Sequence, residues 1–199
     1  MNFEGAKAFI LEKLRDGLSP ALFYHDINHT LDVYRSVERI AVMENVKGFD
    51  LVLLKTAALF HDSGMLSTYI GHEEASCEFT EKHLPGFGYG SDEIERINKM
   101  IRATKLPQQA SGLLEQILCD ADLDYLGRND FFMISHRLKF EWKTQNIKPT
   151  TLKEWYVLQI DFLENHRFFT RSARRSRDEK KQENLNEIKE IMNHFKREK

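Results

Sequence analysis

The residues His61 and Asp62 form a histidine–aspartate pair at the end of the apolar run 51–60. Such a run predicts a buried helix, and a buried charge is costly unless it is paired or bound to a metal ion. Ser63 and Gly64 follow and predict that the helix ends there. The sequence therefore places His61 and Asp62 at the mouth of a buried helix, where a functional site can form.

Two further segments supply residues of the same types. His29 lies in the segment 24–30, directly before a helical pattern, and Asp122 lies in the apolar, carboxylate-bearing segment 117–127. Two imidazoles and two carboxylates make a mixed nitrogen and oxygen set that suits a divalent cation. Four protein ligands would leave coordination positions open for water and substrate, as metal-assisted hydrolysis requires.

This ordered set resembles the HD-domain metal-dependent phosphohydrolase superfamily. The resemblance rests on four segments in that superfamily's order, which are 24–33, 60–64, 71–76 and 120–123. It implies an all-α fold, a single helical HD-domain bundle. It also implies that a divalent metal ion, with Mn, Mg, Fe, Co, Ni and Zn not distinguished, is held by His29, His61, Asp62 and Asp122.

Two aspartates compete for the last ligand position. Asp122 fits the superfamily pattern better, because it follows the small residue Ala121 and precedes Leu123, while Asp120 stays open as a substitute ligand or a neighbour of the site. Residues two apart on a helix point about 200° apart, so only one of the two carboxylates is expected to reach the ion. By the same geometry Asp124 is expected to be peripheral.

The chain departs from the superfamily's two-metal members, which carry additional histidines between the His-Asp pair and the last aspartate. The segment 101–104 contains no histidine, and the histidines of that interval are His72 and His83. We therefore expect one metal ion per chain. The superfamily's di-iron oxygenase chemistry is disfavoured for the same reason.

The resemblance implies a phosphohydrolase, either a phosphomonoesterase or a phosphodiesterase, that acts on a nucleotide or another small phosphate ester. Metal-activated water would be the nucleophile. The candidate catalytic residues are His61, Asp62 and Glu73, of which Asp62 or Glu73 would accept the water proton. The candidate substrate-binding residues are His25, His72, Arg102, Lys105 and Arg128.

The substrate-binding candidates also have plainer interpretations. His72 stands at a predicted helix start, where free N–H groups attract a phosphate, but it could equally be a capping residue. His25 could hydrogen-bond a metal ligand or be an ordinary loop histidine. Arg102, Lys105 and Arg128 are chosen because they lie near the motifs in sequence and would neutralise charge on phosphoryl oxygens.

Two other functions stay open. The first is a catalytically weak HD domain that binds a nucleotide or a protein partner as a regulatory module. The second is a purely structural helical protein in which His61 and Asp62 form a buried hydrogen-bonded pair.

The composition is that of a folded protein. Of its 199 residues 41% are hydrophobic and 30% are charged, with a net charge of −2, which argues against disorder. There is no run of ~18 apolar residues and no signal-peptide core, so no membrane association is expected. Cys77 and Cys119 lack metal-type spacing, which predicts reduced thiols in a cytoplasmic protein. A pI near 6.5 and no stacking pattern of aromatics argue against a nucleic-acid partner.

Helical periodicity covers most of the chain. It predicts one HD-type domain over 1–199, with a motif core at about 24–126 and C-terminal helices, 130–199, packed on it. The predicted helices run from 3 to about 17 and over 31–46, 51–60, 73–83, 91–105, 111–126, 130–145 and 151–164. A last, amphipathic helix is marked by Leu185, Ile188, Met192 and Phe195. Trp142 and Trp155 are predicted to be core residues.

The C-terminal segment is basic. From Arg171 onward it has ten Lys/Arg and six Asp/Glu. The favoured interpretation is a packing helix with a solvated basic face. In the alternative, guanidinium groups lie near a phosphate-bearing substrate, with Arg167, Arg171, Arg174 and Arg175 as the candidates.

Overall fold

The computed structural model describes residues 1–197, and this part of the chain contains nine α-helices and no β-strand. The all-α prediction is therefore confirmed there. The helices are Phe3–Gly17 (α1), Ile27–Met43 (α2), Gly48–Phe60 (α3), His72–His83 (α4), Ser91–Thr104 (α5), Leu113–Asp122 (α6), Phe131–Thr144 (α7), Leu152–Asn165 (α8) and Arg171–Arg197 (α9). Short 3₁₀ turns lie at Ser63–Leu66, Leu84–Phe87 and Asp124–Gly127.

Helix α3 lies in the middle of the bundle. It packs against α1, α2, α5 and α6, and Leu53, Leu54, Ala57 and Phe60 are fully buried. A helix that is apolar around most of its circumference has to be covered on all sides. Because α3 is buried, His61, which directly follows its last residue, also lies in the protein interior.

Helix α2 begins at Ile27 rather than at Leu31, where the sequence predicted it. The side chain of Asp26 caps it by accepting a hydrogen bond from the backbone N–H of His29 (3.0 Å). Such a cap satisfies one of the free N–H groups of the first turn. The apolar pattern did not predict this first turn, because the segment is polar. Because α2 begins at Ile27, His29 lies on the helix.

Helix α6 ends at Asp122, earlier than the predicted 126, and the chain then tightens into the 3₁₀ turn Asp124–Gly127. A side chain at Gly127 would place its Cβ 2.4 Å from the carbonyl oxygen of Arg177. Only glycine therefore permits the close approach of α9 to this turn. The approach places α9 next to the end of α6.

The C-terminal helices pack on the segment that carries the motifs. Helix α9 contacts α8 and the 3₁₀ turn Asp124–Gly127, and the Asn184 amide donates hydrogen bonds to the carbonyl oxygens of Leu126 and Arg128 (3.0 Å each). The predicted apolar stripe is confirmed by the burial of Leu185, Ile188 and Met192. The side chain of Phe195 lies outside the described residues. Within 1–197 no helix combines the length and the apolar character needed to cross a membrane.

Candidate metal centre and its cavity

Three helix ends bring the predicted ligands together. His29 comes from the first turn of α2, His61 and Asp62 follow α3, and Asp122 ends α6. One ligand atom from each of His29, His61 and Asp122 lies within 4.8 Å of the others. Asp62 Oδ2 lies 3.2 Å from His61 Nε2 and 3.3 Å from His29 Nε2. His29, His61 and Asp122 are thus close enough to contact one ion, and Asp62 lies beside both imidazoles.

The orientation of His61 suits a metal ligand. Its Nδ1 is 2.9 Å from the carbonyl oxygen of Ala58, which can only accept, so Nδ1 carries the proton and donates. Nε2, the nitrogen that would bind a metal ion, therefore faces the centre of the cluster, 3.3 Å from His29 Nε2. A backbone carbonyl that fixes the imidazole tautomer in this way is typical of metal-binding histidines.

A buried oxygen at the centre has no hydrogen bond. Asp62 is 6% exposed, and its Oδ2 has no hydrogen-bond partner among the described residues. Leaving a buried anionic oxygen unsatisfied is costly. A divalent cation between this oxygen and the imidazole nitrogens would satisfy it, so the residues present fit a metal ion.

Proton affinities in the cluster reflect the same arrangement. Burial alone would lower the pKa of His29, but the nearby carboxylates of Asp122 and Asp62 outweigh burial and raise the pKa to about 9. Burial raises the pKa of Asp122, and the contacts with His29 and His61 outweigh it and lower the pKa to about 2. The pKa of His61 is likewise raised and that of Asp62 lowered. Protons therefore occupy the imidazoles where an ion would otherwise bind.

His72 lies at the edge of this cluster. Its Nδ1 donates to the carbonyl oxygen of Tyr69 (3.0 Å), which turns Nε2 toward Asp62 Oδ1 at 3.4 Å. Gly64 sets this position, because a Cβ there would lie 2.0 Å from the carbonyl oxygen of His72. The neighbouring Glu73 carboxylate is 3.8 Å from His72 Nδ1 and lines the same cavity.

His25 is held by a residue that the sequence did not indicate. The fully buried carboxylate of Glu141, on α7, accepts hydrogen bonds from the backbone N–H groups of Tyr24 and His25, from the Tyr69 hydroxyl (2.8 Å) and from His25 Nδ1. The His25 ring centre lies 5.9 Å from that of His29. Glu141 thus fixes a second imidazole at the rim of the cluster.

The two aspartates beside Asp122 point away from the cluster. Asp120 accepts hydrogen bonds from the backbone N–H groups of Phe169 and Thr170, at 2.7 Å each. Asp124 is 2% exposed and pairs with arginine side chains. The structure therefore brings Asp122 to the centre, and it places Asp120 and Asp124 against the C-terminal segment.

Of the predicted phosphate-binding cations, only Lys105 lines the cavity at the cluster. Arg102 makes two hydrogen bonds to Glu74 on the surface, at 2.8 and 2.9 Å, and lies outside that cavity. Arg128 lies behind His29, in a smaller space of about 200 Å³, where it pairs with Asp32. None of the C-terminal candidates lines the cavity at the cluster; these are Arg167, Arg171, Arg174 and Arg175.

The cavity at the cluster has a volume of about 480 Å³ and opens onto the cluster at Asp62 and Asp122. Its size lies within the range of about 300–1,000 Å³ that is usual for small-molecule sites. Trp155 is fully buried, as predicted, whereas Trp142 is only partly buried and lines this cavity. The cluster is therefore reachable by a small molecule.

Comparison with known proteins identifies a related domain and a related fold. The HD domain family matches residues 26–124, about half of the chain, including all four predicted ligands. The crystal structure of a predicted HD superfamily hydrolase from an uncultured Thermotogales bacterium aligns with 98% of this chain and 91% of its own, at 24% identity and a TM-score of 0.59. That similarity shows a shared helical fold. The search of curated proteins gave no match. Residues 26–124 form an HD domain, and through this half of its length the chain belongs to the HD domain family.

Proposed function

We propose that this protein is a metal-dependent phosphohydrolase that cleaves a nucleotide or another small phosphate ester. The observation that carries the proposal is the unsatisfied Oδ2 of Asp62, which lies 3.3 Å from His29 Nε2 and 3.2 Å from His61 Nε2. Asp122 lies close to the same two imidazoles, and Asp62 and Asp122 both line a cavity. Mixed imidazole and carboxylate ligands of this number suit one divalent ion with open positions.

The four ligand residues would hold the ion, and their two carboxylates would set the net charge of the site. A bound divalent ion lowers the pKa of a coordinated water and polarises a phosphoryl oxygen. The carboxylate of Glu73, which lines the cavity beside His72, is positioned to accept the water proton. Lys105 is the side chain that we assign to neutralise the phosphoryl oxygens.

His25 is assigned a second proton-transfer role. Hydrolysis of an ester requires a proton on the leaving oxygen, and an imidazole is a common donor. Glu141 fixes the His25 ring through Nδ1, so the other ring nitrogen is free to serve the substrate. His25 and His72 thus remain candidate substrate contacts in this proposal.

A screen of phosphate monoesters, diesters and nucleotides with Mn, Mg, Co or Ni added would test the proposal. We expect turnover of at least one substrate class that depends on the added ion. The variant His61→Ala should lose bound metal and activity together. The matched control is His136→Ala, which removes an imidazole that donates to the carbonyl oxygen of Phe132 on α7, away from the ligands; it should keep both.

The result also decides the alternatives. Stoichiometric metal without turnover of any ester would favour the regulatory HD domain that binds a nucleotide or a protein partner. Absence of bound metal in the wild-type protein after loading would overturn the proposal and favour a structural role for the His61–Asp62 pair.

A further inference from the structure

The cavity that reaches the metal ligands also has an apolar wall. Helices α7 and α8 and the segment between them provide it, and it consists of Leu138, Trp142, Ile147, Leu158 and Phe162. All five residues lie outside the part of the chain that matches the HD domain, 26–124. The wall is therefore a feature of this chain's C-terminal helices rather than of the matched region.

These five side chains leave apolar surface exposed in the cavity, where a ligand can contact it. None of the five is fully buried, and Ile147 is 38% exposed. Trp142 packs edge-on against the buried Trp155, with ring centres 5.4 Å apart at 90°, which fixes its orientation. A rigid indole beside aliphatic side chains is a good contact surface for an apolar ring.

The charges around the cavity favour a single phosphoryl group. Four carboxylates line it, from Asp62, Glu73, Asp122 and Asp161, and Lys105 is the one Lys or Arg among its described lining residues. A divalent ion there would be offset by its ligands Asp62 and Asp122, which leaves Lys105 as the one further cation for a phosphoryl group. A second and third phosphate would face carboxylates without cations of their own, and like charges at short range repel.

The nearby arginines do not change this balance. Arg102 is held by Glu74, and Arg128 is held by Asp32 on the far side of His29. Neither arginine lines the cavity at the cluster. A polyphosphate chain bound there would therefore lack the arginine contacts that usually neutralise one.

We propose that the cavity selects phosphate esters that carry one phosphoryl group and a bulky apolar ring, and that it disfavours polyphosphates and small polar esters. The proposal rests on the proposed function, because it places the phosphoryl group at the metal centre. The apolar wall then contacts the ring, and Trp142 and Leu158 determine specificity.

Binding of non-hydrolysable phosphonates to the Mn²⁺-loaded protein tests this without any turnover. Naphthylmethylphosphonate should bind at least tenfold more tightly than methylphosphonate in calorimetric titrations. Trp142→Ala and Leu158→Ala should each remove most of that difference while leaving methylphosphonate binding unchanged. The matched control is Val157→Ala, which alters the 52%-exposed neighbour of Leu158 on α8 and should preserve the difference. Equal affinities of the two phosphonates for the wild-type protein would overturn the proposal.

A second comparison tests the charge argument. A nucleoside monophosphate should bind at least tenfold more tightly than the triphosphate of the same nucleoside at a buffered free Mn²⁺ concentration. Equal or tighter binding of the triphosphate would overturn the single-phosphate part. The two proposals fail in different ways. Selective phosphonate binding without hydrolysis contradicts only the enzymatic function, and hydrolysis without selectivity contradicts only the role of the apolar wall.

Discussion

Arg177 donates two hydrogen bonds to the carboxylate of Asp124, from Nε at 2.7 Å and from Nη2 at 2.9 Å. The pair joins helix α9 to the residue two positions beyond the ligand Asp122. Arg39 on α2 contacts the same carboxylate, so three parts of the chain meet at one buried charge. The arrangement makes α9 a support for the end of α6.

Replacing Arg177 is expected to weaken both stability and metal binding. Removing one partner of a buried ion pair leaves the other charge uncompensated. Because the Arg177 side chain is 22% exposed and Arg39 remains, we expect Arg177→Ala to lower the free energy of unfolding by about 1–3 kcal/mol. Urea denaturation and Co²⁺ titration would measure the two effects. The exposed Arg175 on the same helix is the control, and an equal loss in Arg175→Ala would contradict the assignment.

The assignment of the last ligand is tested by three amide substitutions. Asp122→Asn keeps the size of the side chain but removes its charge, so metal content and turnover should fall by orders of magnitude. Asp120→Asn and Asp124→Asn should keep the metal, because these carboxylates contact the C-terminal segment. They should instead lower the melting temperature. Metal lost in Asp120→Asn and kept in Asp122→Asn would show that the ligand was placed two residues too far along the chain.

Metal affinity should rise with pH. Without an ion, the pKa of His29 is raised to about 9 and that of His61 is also raised, so both imidazoles are protonated near neutrality. A metal ion binds the neutral imidazole and must displace these protons. We expect the logarithm of the association constant to increase by about one or more per pH unit between pH 6 and 8. Calorimetry in buffers of different ionisation enthalpy counts the protons released, and a count near zero would contradict this expectation.

Acid should destabilise the protein partly through His166. Burial, Lys181 and Arg167 lower the pKa of this histidine to about 3, below the ordinary value of 6.5. The unfolded chain therefore binds an extra proton between pH 6.5 and 3, and stability is lost as pH falls through that window. His166→Asn should reduce the loss between pH 6.5 and 4 by ~1–3 kcal/mol relative to wild type. Parallel stability curves for the two proteins would rule out this contribution.

Removing the chain from Leu185 onward should lower the melting temperature. The buried side chains of Leu185, Ile188 and Met192 would be lost together, at about 1.5–3 kcal/mol each when fully buried. Thermal unfolding followed by circular dichroism measures the change. A truncated protein with an unchanged melting temperature would mean that this part of α9 contributes nothing to the core.

The sequence predicted those features of the site that depend on residues close together in the chain. His61 and Asp62 could be assigned because the apolar run before them identifies a buried helix. Glu141 could not, since it contacts His25 across 116 residues and lies within an ordinary amphipathic helix. The same limit applies to Arg102, whose proximity to the motifs in sequence suggested a substrate contact, whereas its side chain pairs with Glu74, 28 residues away. Side-chain partners distant in sequence leave no local pattern.

Gly64 touches neither the ion site nor the cavity, yet it sets how closely two parts of the domain meet. Its N–H donates to Ser76 Oγ at 2.8 Å, and any Cβ at this position would collide with the backbone of His72. A larger residue there would have to move the start of α4 outward, and His72 would leave the rim of the cluster. The residue two places after the His-Asp pair therefore determines whether a third imidazole can stand beside Asp62.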